Sequence, residues 1–480
     1  MSQLPYLTTK KTGPAEAGKT AGPQRMIGLR ETIALIVGVV VGAGIFKAPS
    51  VVAGMTGTPA SMFGAWALGG LMSLIGALCY AELATAYSHA GGEYHFLRRA
   101  FGPSVSFLYG WARFSVIATG SIALLAFVFG DYMSQLLPLP GLAQQHASAM
   151  YAALSIVLLS WLNLRGLKAG TFAQTWLTAA EVCGLLLIVA AALFLGDSEP
   201  AALPAAASAQ PPSFGLAMVF VLLTYGGWNE AAYISAEIKN FRRDMVKALV
   251  LSILVITLLY LLVIWACWRG LGMAGMAASD AIAADLLAAA FGPVGSSLVS
   301  LLVAISALTS INATMIVGAR TSYALGRDWH ALRRLSLWDE TRGTPANAMQ
   351  VQCLVALLLV LAGAWTGSGF RAMVEFTAPV FWTFFLLSGL SLFVLRLREP
   401  GTERPFKVPL FPLLPALFCV TCGYMLWASL SYVYSQSLGS LNAAWVGVAV
   451  LALGLIILAC MRLRSRHAFT QTEATKGEQS

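Results

Sequence analysis

Val40-Val41-Gly42-Ala43-Gly44-Ile45-Phe46 and Leu223-Thr224-Tyr225-Gly226-Gly227-Trp228-Asn229 are two glycine interruptions inside long apolar stretches. A bilayer interior supplies no water for freed backbone groups, so unwound chain survives there only against protein or a cavity. Two such interruptions at matching places in two halves of a chain point to a small-solute site between them. Here they fall in the first and sixth apolar spans, five spans apart.

Composition says that a membrane is the right setting. The chain has 480 residues, 58% hydrophobic and 11% charged, with a mean hydropathy of +0.75. Soluble domains carry about 25% charged residues. The apolar runs are too continuous for a β-barrel, whose strands alternate over about 10 residues. The expected fold class is therefore an all-α polytopic membrane protein. Twelve spans are predicted, at roughly 30–55, 60–86, 102–133, 147–165, 171–196, 213–239, 246–270, 293–326, 347–366, 370–396, 408–432 and 442–464. Each approaches or exceeds the ~20 residues that cross hydrocarbon. The Ala-rich stretch 277–291, with Asp280 and Asp285, is too short and polar to span and reads as an outer re-entrant or surface helix.

The formal charge of +9 is mainly a topology signal. Of the 30 Lys and Arg, all but Lys47, Arg113, Arg269 and Arg371 fall in one alternating set of termini and loops. That pattern places both termini in the cytoplasm, and it argues against nucleic acid as a partner. The bilayer itself is the expected partner, with anionic headgroups a secondary attraction. Seven Cys, mostly in apolar spans, form no secreted disulfide framework, and Cys419-x-x-Cys422 reads as two small buried residues. A polar tail of about 25 residues precedes the first span without a small-residue cleavage site, so no cleavable leader is expected.

The organisation that follows is a cytoplasmic tail (1–25), a first five-span repeat (26–196), a second, inverted one (213–396), two further spans (397–466) and a tail (467–480). An odd number of spans per repeat inverts the second and brings the two breaks together near the midplane. There, half-helix ends offer bare carbonyls on one side and bare amides on the other. Such a pair suits a zwitterion. Its ammonium would sit near Val40, Leu223 and Gly226; its carboxylate would sit near Ala43, Gly44 and Ile45, where Gly42 and Gly44 allow close approach. Asn229 either bonds near the solute or to a neighbouring span. Tyr225 belongs to the same candidate site. Catalytic motifs are missing: there is no His-Glu-x-x-His, no Gly-x-Ser-x-Gly and no metal cluster, so an enzyme is not expected and no cofactor or metal is called for beyond a coupling H⁺ or Na⁺.

Several motifs carry a resemblance. Gly38 to Phe46 resembles the span-one signature of the amino acid–polyamine–organocation (APC) superfamily. Tyr225-Gly226-Gly227-Trp228-Asn229 with Glu237, Gly91-Gly92-Glu93-Tyr94, Ser310-Ile311-Asn312 through Arg320, and Glu403-Arg404-Pro405-Phe406-Lys407-Val408-Pro409 are similar to its L-type amino-acid transporter branch. The likeness covers about residues 28 to 430. It implies the LeuT-type 5+5 inverted repeat with broken helices 1 and 6, and amino-acid transport by alternating access. It also implies that Trp382 floors the side-chain pocket.

Departures from the pattern matter equally. Ala43 stands where the family usually has Ser, and Leu223 where many relatives have an aromatic gate. Residues 131 to 147 hold no Cys, so no disulfide-linked heavy-chain partner is expected. At Glu181 the branch usually has Lys, thought to stand in for sodium. An ionisable group in a span is a functional candidate. Three roles stay open for Glu181: proton binding, Na⁺ binding with Ser306, Thr309 and Ser310, or pairing with an Arg such as Arg113. Arg113 itself is expected to pair with Glu181 or Glu230. Glu82 and Glu237 lie near span ends, where Arg98, Arg242 or Arg320 can meet them. Apolar walls (Val40, Leu223, Ile117, Trp382) favour neutral L-amino acids, carried by an exchanger or proton-coupled symporter of an inner membrane. The alternatives are a cationic amino acid or polyamine antiporter, a non-transporting sensor of the same fold, and an ion channel.

Overall fold

The computed structural model describes residues 28–477 except 47, 90, 195–213, 280–281, 340, 367–368 and 436–442. Sixteen α-helices follow one another among the described residues: α1 (Leu29–Val40), α2 (Ala48–Thr56), α3 (Pro59–Ala86), α4 (Glu93–Phe101), α5 (Pro103–Ala112), α6 (Ala118–Leu136), α7 (Gln144–Leu164), α8 (Leu167–Phe194), α9 (Phe214–Thr224), α10 (Phe241–Ala278), α11 (Ile282–Phe291), α12 (Pro293–Asp328), α13 (Ala346–Thr366), α14 (Gly369–Arg398), α15 (Leu413–Ser435) and α16 (Ala443–Gly477). A π-turn (Arg113–Ile117) joins α5 to α6, and 3-10 turns occupy Ala43–Phe46, Trp228–Glu237 and His330–Ser336. No strand is present among the described residues.

Ten stretches within these helices are long and apolar enough to cross a membrane. The two segments carrying the glycine interruptions are divided into pieces too short to count among them. Local sequence sets several starts. Thr58 caps α3, its hydroxyl accepting from Ser61 N–H at 3.3 Å with Pro59 at the first helical position. Pro103 and Pro293 likewise open α5 and α12, there behind Gly102 and Gly292 and without a side-chain cap.

Apolar side chains face both inward and outward. Leu251, Leu254, Val255, Leu258 and Leu262 run along α10 at helical spacing and are all exposed. Leu354, Leu358 and Leu361 do the same on α13. A soluble protein would put polar groups there; hydrocarbon does not require them. Charge runs the other way. The Arg113 side chain, 3% exposed, is inside.

Four features differ from the sequence expectation. Span three is interrupted by the π-turn at Arg113, a one-residue insertion that apolar patterning does not reveal. The stretch expected as an outer re-entrant or surface helix folds as α11, with Ile282, Ala283, Leu286 and Leu287 buried, which goes against the surface alternative and is compatible with the re-entrant one. The second interrupted span continues past its break as 3-10 rather than α-helix. The last helix runs beyond 466 to Gly477, where a loose tail was expected. Lys47 and the loop 197–212 lie outside the described residues.

Candidate functional site

The two breaks lie against each other. α1 stops at Val40, where Val41 turns extended (φ −73°, ψ 91°) and its N–H closes on Val37 O at 2.7 Å. α9 stops at Thr224, and Gly227 adopts φ +109°, a left-handed conformation that favours glycine. The carbonyls at these two helix ends lack intrahelical partners. Both accept from one hydroxyl: Tyr260 Oη of α10 donates to Val40 O at 3.0 Å and to Thr224 O at 3.1 Å. The two oxygens therefore lie within about 6 Å of each other. Close glycine contacts complete the seam. A Cβ on Gly44 would stand 3.2 Å from the Thr224 side chain, and one on Gly227 would stand 3.1 Å from Val39 O.

The remaining candidate residues take up different positions around this seam. Gly42 faces Ser310, whose Oγ is 2.7 Å from where a Cβ would be. Ala43 opens the 3-10 turn, and Ile45, 1% exposed, bonds back to Gly42 O at 3.3 Å. Leu223 O accepts from Gly226 N–H at 3.1 Å. Tyr225 turns into the core: its hydroxyl donates to Trp66 O at 3.1 Å, and its ring lies 5.0 Å from that of Tyr260. Gly226 and Trp382 line a small cavity together with Met72, Ser73, Trp228, Phe385 and Phe418. Its volume of about 20 Å³ holds about one water, so a larger solute displaces its aromatic walls. Asn229 is not part of this lining; its Nδ2 donates to Glu93 Oε2 at 3.5 Å, and its Oδ1 is buried without a hydrogen-bond partner among the described residues.

Glu181 is buried in α8 and accepts from the Ser306 hydroxyl of α12, while its Oε2 has no hydrogen-bond partner among the described residues. Ser310, one turn along α12, is also buried, and its Oγ beside Gly42 has no hydrogen-bond partner among the described residues. Thr309 bonds its own helix, to Ile305 O at 2.9 Å. The Arg113–Glu181 pair that the sequence left open does not form. Arg113 Nη2 instead donates to both Glu230 oxygens, at 2.6 and 2.5 Å, because the 3-10 piece beyond Gly227 carries Glu230 to the π-turn. Arg113 Nη1 is also 3.9 Å from Glu93 Oε2. Glu93 accepts from the hydroxyls of Tyr80 and Tyr109.

The Arg-rich end is closed by further ion pairs, with partners other than those expected. Glu82, 1% exposed, binds Arg396 through two bonds of 2.8 and 2.5 Å and accepts from Val408 N–H at 2.6 Å. Arg98 pairs with Asp328, and Arg242 with Glu403 at 2.8 Å. The Glu237 side chain lies outside the described residues. Arg99 Nε donates to Glu399 at 2.8 and 2.9 Å and holds that carboxyl below its ordinary range. The His89 and His95 rings stack at 4.4 Å; burial pushes the His95 imidazole down to about 4. The loop after α14 supplies Glu399, Glu403 and Val408 to these contacts, which local sequence does not show.

Sequence reasoning missed Tyr260, Tyr80 and Glu93. Tyr260 shares its long apolar run with Ser252 and Thr257, and nothing in the sequence sets it apart from them. Glu93 had been assigned only to a motif.

A family model described as amino acid permease matches residues 27–463. The human b(0,+)-type amino acid transporter 1 is 30% identical over 422 residues, covering 86% of this chain and 84% of that protein. The serine/threonine exchanger of Bacillus subtilis is 27% identical over 416 residues, covering 85% and 92%. The human cystine/glutamate transporter is 27% identical over 421 residues, covering 87% and 82%.

Proposed function

The chain belongs to the amino acid permease family, and from that premise we propose that it carries neutral L-amino acids across a membrane by alternating access, as an exchanger or a proton-coupled symporter. It is a transporter and not an enzyme. The observation that carries the site assignment is the Tyr260 hydroxyl, bonded to the last carbonyl of both interrupted half-spans. In this reading the two main-chain ends form a single binding edge. Carbonyls of Val40, Leu223 and Gly226 face an ammonium; amides around Gly42, Ala43, Gly44 and Ile45 face a carboxylate. The side chain projects toward the cavity of Trp228, Trp382 and Phe385, whose walls are apolar and carry no fixed charge among the described residues. This favours neutral substrates over cationic ones. The serine/threonine specificity in the name of the Bacillus relative fits the same class.

Glu181, with Ser306 and Ser310 beside the first break, is the proposed coupling or gating group. Transport proceeds without a disulfide-linked subunit, since residues 131 to 147 hold no Cys. The protein sits in a cell inner membrane with both termini in the cytoplasm, as its basic loops favour. A substrate screen in proteoliposomes at two pH values, with and without Na⁺, tests these statements together. Saturable uptake of neutral amino acids, stimulated by preloaded substrate, is expected. Uptake confined to cationic amino acids or polyamines, or no uptake at all, overturns the reading.

A further inference from the structure

Arg113 lies between two carboxylates on different elements. Glu230, at 2.5 and 2.6 Å, is on the 3-10 piece beyond the second break. Glu93, at 3.9 Å, is in the first turn of α4 at the Arg-rich end. Gly227, with its left-handed φ, uncouples the 3-10 piece from α9, so Glu230 rides on a segment that has its own hinge. Glu93 is anchored from two other directions, by Tyr80 of α3 and Tyr109 of α5. The Tyr80 ring in turn stacks edge-on against Trp228 at 5.1 Å, and Trp228 lines the cavity. The cluster thus stands between the cavity and the Arg-rich end.

Stability alone is a weak reason for such a cluster. Desolvation offsets much of the attraction in a buried ion pair, while breaking one and leaving a charge unpaired is strongly destabilising. A device that must open therefore needs a second partner within reach. Glu93 is that partner: it already stands at the outer edge of ion-pair distance, 3.9 Å from Arg113 Nη1, while Glu230 holds the close bonds. The π-turn that carries Arg113 is a backbone feature common at functional sites. We propose that Arg113 is a two-position latch for this end of the pathway, paired with Glu230 while the 228–237 segment is closed and with Glu93 when that segment swings away. The guanidinium keeps a carboxylate in both positions, so Arg113 itself is never left unpaired. The pair is a bistable element of the kind through which two sites couple.

The latch rests on the transport reading for its purpose, and its test has one arm independent of transport. The full chain, reconstituted in one orientation, is assayed for half-saturating substrate concentration at each face. Glu230→Gln removes the closed partner and lowers that value at the Arg-rich face relative to the opposite face by at least threefold. Glu93→Gln removes the open partner and shifts the ratio at least threefold the other way. A cluster that merely holds the fold together shifts both variants in the same direction, and that result, or an unchanged ratio, overturns the latch. The second arm is hydrogen exchange on the purified full chain. Amides of 228–237 exchange at least tenfold faster in Glu230→Gln, while those of α13 keep their wild-type rates. Glu230→Asp, which keeps the charge and retracts it by one methylene, gives the same change at smaller size if the Gln variant does not insert. Wild-type exchange rates in both variants refute the proposal whether or not the protein transports amino acids.

Discussion

Replacing Tyr260 with Phe isolates the contribution of one hydroxyl group to the site. The ring is fully buried and packs against Trp66 and Tyr225, with centroids at 5.7 and 5.0 Å, so the Phe variant keeps its volume and its aromatic contacts. Only the hydroxyl is lost, and with it the donor to Val40 O and Thr224 O. An intramolecular hydrogen bond contributes about 1 kcal/mol net, and leaving a buried acceptor without its partner costs about 1–3 kcal/mol. Two acceptors share this donor, but each also keeps a lone pair for other contacts, so the combined effect stays within about 1–3 kcal/mol. If that energy holds the two half-spans in binding register, kcat/KM falls by about 5- to 150-fold at 1.4 kcal/mol per decade. Because Tyr260 touches main chain and not the substrate side chain, the ranking among neutral amino acids is unchanged. Initial uptake rates in proteoliposomes, at matched protein incorporation, measure both quantities. A variant within twofold of wild type, or one whose ranking inverts, refutes the role assigned to the hydroxyl.

Other perturbations follow from the same geometry. Gly227→Ala puts a Cβ at φ +109° and 3.1 Å from Val39 O, which costs about 1–3 kcal/mol of strain; the thermal midpoint should drop and uptake should fall, and an unchanged midpoint contradicts the close seam. Glu181→Gln keeps the bond from Ser306 but removes the charge and its proton, so either the transport rate or its pH dependence should change; uptake identical to wild type from pH 5.5 to 8 excludes a coupling role. At the Arg-rich end, the His95 imidazole titrates lower in the folded chain than in the unfolded one. Protonation then favours the unfolded state: stability is complete above about pH 6.5 and declines as pH falls toward 4. The thermal midpoint of His95→Asn should be less acid-sensitive than that of wild type across this window, and parallel pH curves would show that His95 is not responsible.

Much of this was legible in the chain because glycine and charge are rare inside apolar spans. The runs at Gly42–Gly44 and Gly226–Gly227 marked both breaks, and Gly227 does adopt a conformation that side chains resist. Arg113 and Glu230 stood out as buried charges and turned out to be partners. Their pairing, instead of Arg113 with Glu181, depends on the π-turn and on the 3-10 winding beyond Gly227, and both are backbone choices that hydrophobic patterning does not encode. Glu93 enters the site from a connecting segment. Its part is set by Tyr80 and Tyr109, which are 13 and 16 residues away in the chain and on other helices.

Everything proposed for substrate recognition depends on main chain at the two breaks holding the zwitterion. The structure of the full chain determined with a bound transported amino acid tests that most directly. The carboxylate is expected on amides between Gly42 and Ile45, and the ammonium on carbonyls of Val40, Leu223 or Gly226. Density for the amino acid at any other place, with both breaks unoccupied, contradicts it.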